Sequence, residues 1–219
     1  MSLSELVRTL YGVDRPQGCT EAEIAAVRER FGALPAAVED FWRTFGHTKQ
    51  LNFGQDDWVF PTHYAKWTWL EEIDALVLLN ENQSVGQACV RRTDLALPDP
   101  PVYLWIGPDG PWELSSPTFS AFLEAALTYE AVWQLPCSPE EIFELSEADR
   151  KVVQTRLTRR PTVLKNWFFS EVTFYSSRPD NLVVVMDMGN GEYQATYGGA
   201  TKESYTALLE VMEGLGAPI

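Results

Sequence analysis

The stretch TEAEIAAVRERFGALPAAVEDFWRTFG, residues 20–46, predicts two short amphipathic helices joined by a tight turn. Thr20 and Glu23 have the spacing of a capping box, in which the threonine caps the helix and the glutamate returns to the threonine backbone. Gly32 suits the left-handed position that ends a helix, and Pro35 suits the first turn of the next one. Because apolar residues recur at helical spacing in both halves, the pair needs an apolar surface to pack on.

β-Patterned segments follow this hairpin in two groups, and each group ends in a helix. The predicted strands lie at 75–80, 87–92, 102–106, 111–116, 166–177, 181–188 and 192–199. The predicted helices outside the hairpin lie at 2–12, 116–134, 146–158 and 201–216. Glycine-containing turns at 107–110, with an Asp-Gly step, and at 189–191 predict two β-hairpins. The pattern indicates an α+β fold with a mixed or antiparallel sheet flanked by helices.

Three connecting segments are less regular. Residues 65–73 fit either a helix or a strand. Ser138, Pro139 and Glu141 together suit the start of a helix, with the proline at its first position. The basic run at 156–161 suits the solvated end of the preceding polar helix.

One supersecondary pattern occurs twice. A strand, a glycine turn, a second strand and a helix follow one another at 102–127 and again at 182–209. This similarity indicates shared architecture, since the identity between the two stretches is too low to establish a duplication. The two sheet segments form either one extended sheet or two lobes that separate near 135–160.

The charge of the chain limits its partners. Acidic residues number 31 against 17 basic ones, which gives a formal net charge of −14 over 219 residues. Such a charge repels phosphate backbones and anionic membranes, so neither nucleic acid nor a membrane is an expected partner. It favours a basic protein partner, and the alternative is that the acidic surface serves solubility alone.

The cysteines are three in number and far apart: Cys19, Cys89 and Cys137. Their odd number and the lack of CxxC spacing argue against a disulfide framework and against a zinc site, so no metal or cofactor is expected. The N-terminal segment predicts a helix and lacks the architecture of a signal peptide, and no apolar run reaches membrane-spanning length. The resulting expectation is a reducing, cytoplasmic compartment.

No catalytic constellation is recognisable, and no catalytic residue is predicted. His47 and His63 are the two histidines, so a zinc hydrolase or a Ser-His-Asp site would need one of them. His47 follows a helix-ending glycine, where the helix dipole favours it, and packing accounts for His63 in an aromatic loop. Cys89 fits a buried thiol in a strand, and no residue in the sequence supports Cys19 as a nucleophile. The chain also lacks a P-loop, a GxSxG elbow and a dinucleotide fingerprint.

The order of the motifs resembles the SUKH superfamily, the Smi/Knr-type domain. The opening pattern of this family matches Phe31-Gly32, Leu34-Pro35, Phe41-Trp42 and Gly46. Further similar segments are ENQSVGQACVRRTD at 81–94, DPPVYLW at 99–105 and SSPTFSAFLEAAL at 115–127. The resemblance covers roughly residues 20–134. It implies a SUKH-like domain at 1–134 and a C-terminal α+β extension at 135–219, which is either separate or continuous with the first sheet.

The resemblance implies a domain that binds proteins and has no catalytic site. Many bacterial members look like immunity proteins that neutralise a nuclease or another toxin domain, and fungal members are regulatory scaffolds. The first hypothesis is therefore a cytoplasmic immunity protein that occludes a basic toxin domain by stoichiometric binding. The alternatives are an intracellular adaptor of the same fold and a hydrolase that uses His47 or His63 with nearby carboxylates.

The segment 56–74 mixes aromatic and acidic residues and is the predicted partner-binding surface. Tryptophan and tyrosine supply the strongest contacts of interfaces, and complementary charge speeds the encounter of two proteins. An acidic surface of this kind suits the basic, phosphate-binding site of a nuclease. Alternatively, the aromatic residues fill the core beneath the helix hairpin and the carboxylates are merely solvated. The candidate residues are Asp56, Asp57, Trp58, Tyr64, Trp67, Glu71, Glu72 and Asp74, and Trp69 belongs to the same run.

Overall fold

The computed structural model describes residues 1–108, 110–139 and 141–219, and these residues form the predicted α+β fold. The Asp-Gly step of the first predicted hairpin includes Asp109, which lies outside the described residues. The described α-helices are α1 (Leu3–Tyr11), α2 (Glu21–Phe31), α3 (Ala36–Phe45), α4 (Pro61–Tyr64), α5 (Phe119–Val132), α6 (Glu147–Arg156) and α7 (Lys202–Met212). The described strands are β1 (Asp57–Trp58), β2 (Ala75–Asn80), β3 (Gln87–Arg91), β4 (Val102–Trp105), β5 (Trp112–Ser116), β6 (Phe143–Leu145), β7 (Thr158–Lys165), β8 (Glu171–Ser176), β9 (Asn181–Gly189), β10 (Glu192–Gly199) and β11 (Ala217–Pro218).

The described strands form two sheets, and both are antiparallel. The first sheet has the order β1-β2-β3-β4-β5, so strands that follow one another in the chain are neighbours. The second sheet has the order β11-β6-β10-β9-β8-β7. One outer strand of each sheet, β1 or β11, is only two residues long.

The described chain divides into two compact units, one around each sheet. Asp14–Leu123 carries the first sheet and is called here the five-stranded unit. Met1–Val13 together with Glu124–Ile219 carries the second sheet and is called the six-stranded unit. The helix α1 and the second part of α5 therefore group with the second sheet. The predicted ranges 1–134 and 135–219 rest on the family resemblance and stay a prediction.

The predicted helix hairpin of the five-stranded unit is formed by α2 and α3. The Thr20 hydroxyl accepts the Glu23 N–H at 3.3 Å, and the Glu23 carboxylate accepts the Thr20 N–H at 2.7 Å, which completes the capping box. Gly32 ends α2 with a φ of 79°, in the left-handed region that glycine adopts without steric cost. Pro35 is the N-cap of α3, one position earlier than the sequence predicts.

The core of the five-stranded unit is aromatic. The ring centroid of Phe41 on α3 lies 5.2 Å from that of Trp58 and 6.0 Å from that of Phe119. Phe122 approaches Trp58 from α5 at 6.3 Å. Trp58, Phe119 and Phe122 are fully buried, so these rings fill the space between the helices and the sheet.

The core of the six-stranded unit is mainly aliphatic. Helices α6 and α7 supply Val153 and Leu208, and both side chains are fully buried among residues of β6, β8, β9 and β10. The buried members of this cluster are Leu145, Val153, Leu157, Tyr175, Val183, Val185, Ala195, Tyr197, Leu208, Val211 and Met212. The two helices thus cover an apolar sheet face with their own apolar sides.

The segment between β7 and β8 differs from its prediction as part of one strand over 166–177. Asn166 and Phe168 have φ values of 51° and 61°, and such left-handed residues interrupt an extended chain. Trp167 between them is only 1% exposed. The regular strand therefore begins at Glu171, after the turn that buries this tryptophan.

Three other connecting segments also differ from prediction or resolve an alternative. The basic run at 156–161 enters strand β7, because Pro161 is poorly suited to the interior of a helix and tolerable in an outer strand. The described residues near Pro139 do not form a helix, and the next one starts after Ser146, whose hydroxyl accepts the Asp149 N–H at 3.1 Å. Residues 65–73 form neither alternative along their whole length and contain a single 3-10 turn, Thr68–Glu71.

Candidate functional site

Two of the predicted partner-binding residues lie inside the five-stranded unit. Asp56 is 3% exposed, and its carboxylate accepts the Asn82 N–H at 3.2 Å, so it holds the loop between β2 and β3. Trp58 is fully buried in the aromatic core. Neither side chain is accessible to a partner, and the alternative of core packing holds for Trp58.

Tyr64 also has a clear structural role. Its hydroxyl donates to the Val77 carbonyl at 2.8 Å, and its ring meets the edge of Phe31 at 5.7 Å. The Arg30 guanidinium lies 5.4 Å from the centroid of the same ring. Burial raises the pKa of the Tyr64 hydroxyl well above its ordinary value. These contacts fasten α4 to both α2 and the first sheet.

The remaining predicted residues are at the surface. Trp67 is half-buried and stacks on His63 with ring centroids 4.2 Å apart, and Trp69 continues the stack at 5.8 Å. Asp57, Glu71 and Glu72 are exposed. Asp74 is exposed too, and its carboxylate accepts the Arg92 Nε–H at 2.6 Å. Their role in binding stays a prediction.

Beside these residues the five-stranded unit has an open groove of about 310 Å³. Three parts of the unit form it: the 3-10 turn before β2, the β2–β3 loop with the start of β3, and the end of β4. Among the described lining residues, Glu72 is the only charged one. The lining residues are Trp69, Glu72, Ile73, Ser84, Val85, Gln87, Trp105, Ile106 and Gly107.

The groove exposes apolar side chains that the sequence analysis did not select. Val85 is 57% exposed and Ile106 is 47% exposed, and both line the groove beside the half-buried Trp69 and Trp105. Exposed apolar side chains gathered in one groove make this groove a candidate interaction site. The available signal was the alternation in VYLWI, which places Tyr103 and Trp105 on one face of a strand.

Trp105, which lines the groove, has cross-strand contacts on its sheet face. Trp105 on β4 is paired in register with Trp112 on β5, and their ring centroids are 6.4 Å apart. The Arg91 guanidinium lies 3.7 Å from the centroid of Tyr103 and 5.4 Å from that of Trp112. The contacts with Arg91 and between the two tryptophans fix the orientation of these rings and leave the groove open.

The histidines occupy packed or paired positions. The His63 Nδ1 accepts the Phe60 N–H at 3.0 Å, and burial lowers the pKa of this imidazole. His47 is partly exposed, and its Nε2 lies 3.0 Å from the Glu23 Oε2. In both cases a neighbouring group already occupies one ring nitrogen.

Three residues that are distant in sequence meet beside the start of α2. One ligand atom each from Cys19, Glu23 and His47 lies within 4.8 Å of the other two. Burial and the Glu23 carboxylate raise the pKa of the Cys19 thiol to about 12. This thiol is thus protonated at neutral pH and is a poor nucleophile by itself. Motif spacing such as CxxC does not predict this cluster, because its members come from separate parts of the chain.

The six-stranded unit has a pocket of about 370 Å³ around the basic run in β7. The Arg160 guanidinium donates to the carbonyl oxygens of Pro179 and Asn181 at 3.0 and 3.1 Å. Burial lowers the pKa of Arg160. Arg178, also in the lining, pairs with Asp180 and Glu203 at 3.2 and 2.7 Å. The arginines therefore bind groups of the fold itself.

In the part of the chain that the structure describes, every helix is too short or too polar to cross a bilayer. Comparisons with protein-family models, with curated proteins and with solved structures found no match. The aromatic groove and its carboxylate are thus the features of the molecule that bear on its function.

Proposed function

We propose that this chain is a non-catalytic, SUKH-like protein-binding domain that acts in the cytoplasm as an immunity protein. It neutralises a toxin domain, a nuclease foremost, by one-to-one occlusion and without turnover. The observation that carries the proposal is the open groove, in which Trp69 and Trp105 stand beside the carboxylate of Glu72. The SUKH assignment itself rests on the motif order at residues 20–134.

The chemistry of the groove favours a basic, arginine-bearing or lysine-bearing segment. A cation that enters it meets aromatic faces and one carboxylate, and none of the described lining residues is basic. The net charge of −14 attracts a basic partner over distances comparable to the Debye length. Glu71 and Glu72 lie in the segment that borders the groove, so they add to the local negative potential.

The first experiment is affinity capture from a lysate of the source organism, with the full chain as bait, followed by identification of the bound proteins. We expect a basic protein at about one-to-one stoichiometry, whose association weakens as salt rises. Expressed alone, this partner should arrest growth, and coexpression of the chain should restore it. A partner that is acidic or harmless to the cell contradicts the immunity proposal, and a resident housekeeping complex favours the adaptor.

Groove variants then test where the partner binds. Trp69→Ala combined with Trp105→Ala removes two aromatic anchors, and we expect at least a ~30-fold loss of affinity, about 2 kcal/mol. Glu72→Lys should slow association and flatten its salt dependence. The matched control is Glu113→Lys, which makes the same charge change on an exposed position next to Trp112, on the opposite side of β5. Equal effects of Glu72→Lys and Glu113→Lys would refute the groove as the binding site.

A further inference from the structure

A second site, independent of the groove and of the proposed function, lies where α2 begins and α3 ends. Cys19 precedes the cap of α2, Glu23 is in its first turn, and His47 follows the residue that ends α3. Sγ of Cys19, a carboxylate oxygen of Glu23 and a ring nitrogen of His47 all lie within 4.8 Å of one another. Cys19 is buried, whereas His47 and Glu23 are 37% and 30% exposed at their side chains.

The backbone holds these three residues in place. The Cys19 N–H donates to the Trp42 carbonyl at 2.8 Å, and the His47 N–H donates to the Gln17 carbonyl at 2.8 Å. The two chain segments are therefore hydrogen-bonded on either side of the cluster. Such a fixed backbone places the ligand atoms before any ion arrives.

Glycine is required on both sides of this contact. A Cβ on Gly18 would stand 1.6 Å from the Arg43 carbonyl oxygen, and a Cβ on Gly46 would stand 2.4 Å from the Cys19 Sγ. Both distances are far below van der Waals contact. The two glycines thus allow an approach of backbone and thiol that a side chain at either position would prevent.

The donor set selects a particular class of metal ion. A thiolate, an imidazole and a carboxylate together suit Zn²⁺, whereas Mg²⁺ and Ca²⁺ prefer oxygen ligands alone. Tetrahedral bonds of about 2.0–2.3 Å place ligand atoms about 3.5 Å apart. The His47 Nε2 and the Glu23 Oε2 are already 3.0 Å apart, so small side-chain rotations bring the three donors to that spacing.

We propose that Cys19, Glu23 and His47 bind one zinc ion, which fastens the start of α2 to the end of α3. Coordination forms the Zn–S bond and releases the thiol proton to solvent, with no change of oxidation state. The partly exposed sides of His47 and Glu23 leave a water molecule to complete the coordination. The ion thus holds the two helices of the hairpin together.

The test is a titration of the full, reduced chain with Co²⁺, which takes the place of Zn²⁺ in such sites. A thiolate bound to Co²⁺ gives a ligand-to-metal charge-transfer absorption in the near ultraviolet. We expect this absorption to saturate at one equivalent, to disappear in Cys19→Ser and to persist in Cys137→Ser. One equivalent of Zn²⁺ should displace the Co²⁺ and abolish this absorption. No thiolate absorption in the wild-type chain, or an equal absorption in Cys19→Ser, overturns the proposal.

A second measurement guards against variants that fail to fold. Glu23→Gln keeps a residue type that completes a capping box but replaces a carboxylate with an amide, a weaker zinc ligand. With Zn²⁺ at a hundredfold excess over its dissociation constant, the melting temperature of the wild-type chain should rise by roughly 5 °C or more. The rise should shrink in Glu23→Gln and in His47→Gln. An equal rise in wild type and both variants would place the ion elsewhere.

Discussion

Both sheets contain an antiparallel strand pair that is followed by a helix. The two pairs differ in what packs on them. In the five-stranded unit, β4 and β5 form an antiparallel pair that leads into α5, and in the six-stranded unit β9 and β10 form one that leads into α7. Around the second pair, α6 and α7 pack on the sheet and form a mainly aliphatic core. On the first sheet, the cluster around Val77 and Cys89 is covered by short turns and not by long helices. Trp69, Trp105 and Trp112 pack against this cluster and are only partly buried.

The two units therefore differ in how completely one face of their sheet is covered. A sheet face covered by two helices stabilises the fold, because its apolar area is removed from water. This area is then not available to a partner. A face covered by short turns keeps apolar surface available to a partner. The comparison predicts that substitutions in the six-stranded core change folding, whereas substitutions in the groove change binding and leave folding nearly intact.

The largest effect is expected within the five-stranded unit itself. Trp58→Ala should lower the free energy of unfolding by about 3–5 kcal/mol, because it empties a fully buried site between Phe41 and Phe122. Trp105→Ala should cost less than about half of that, since its ring lines an open groove. Urea denaturation of both variants measures the two values. Equal losses would show that the groove tryptophan is part of the core.

The next effect concerns the cover of the second sheet. Leu208→Ala on α7 removes a fully buried side chain and should cost about 2–4 kcal/mol. Leu114→Ala on β5 alters a side chain that is 47% exposed and should change the stability by less than about 1 kcal/mol. Both are leucine-to-alanine changes, so the difference between their denaturation midpoints isolates burial. A similar cost at the two sites would contradict the contrast between the units.

A smaller effect tests a feature that the units share. Thr20→Ala on α2 and Ser146→Ala on α6 each remove a hydroxyl that accepts a backbone N–H, at 3.3 and 3.1 Å. Each change should cost about 1 kcal/mol, since an unsatisfied N–H remains at the helix start. Thr20→Ser and Ser146→Thr are the conservative controls and should retain most of the stability. Thermal denaturation of the four variants decides whether the caps are equivalent.

The smallest effect is a local titration in the six-stranded unit. The hydrogen bond from Arg150 lowers the pKa of the Glu147 carboxyl from 4.5 to about 2. Because the folded pKa lies below the unfolded one, the contribution of this pair is present above pH 4.5 and is lost as the pH falls toward 2. NMR titration of the side-chain carboxyl measures the value. Arg150→Ala should return the pKa to its ordinary range, and an ordinary pKa in the wild-type chain would contradict the ion pair.

Local chemistry explains why much of the fold is predictable from the sequence. The Thr20 cap, the Gly32 stop and the hairpin at 189–191 depend on residues a few positions apart, and all three form. The interruption at Asn166 and Phe168 is not predictable from the sequence, because neither residue requires a left-handed conformation by its chemistry. The turn is imposed by the burial of Trp167, which is a tertiary effect.

The candidate sites were harder to predict for the same reason. Trp58 and Trp67 are equally aromatic in the sequence, yet one is buried in the core and the other stacks on His63 at the surface. The groove joins Trp69 to Trp105 across 36 positions of the chain, and Cys19 meets His47 across 28. Such distances are not encoded in spacing, so only the folded chain brings these residues together.

The short outer strands of the sheets affect how the protein behaves at high concentration. An open sheet edge offers unpaired backbone groups to any extended chain that meets it. Here β1 and β11 offer only two residues each, and β11 ends in Pro218, which lacks an N–H. The opposite edge of the second sheet, β7, carries Arg159, Arg160 and a proline where its register shifts. These three edges are poor templates for a further strand, so edge-to-edge pairing of two chains is disfavoured there.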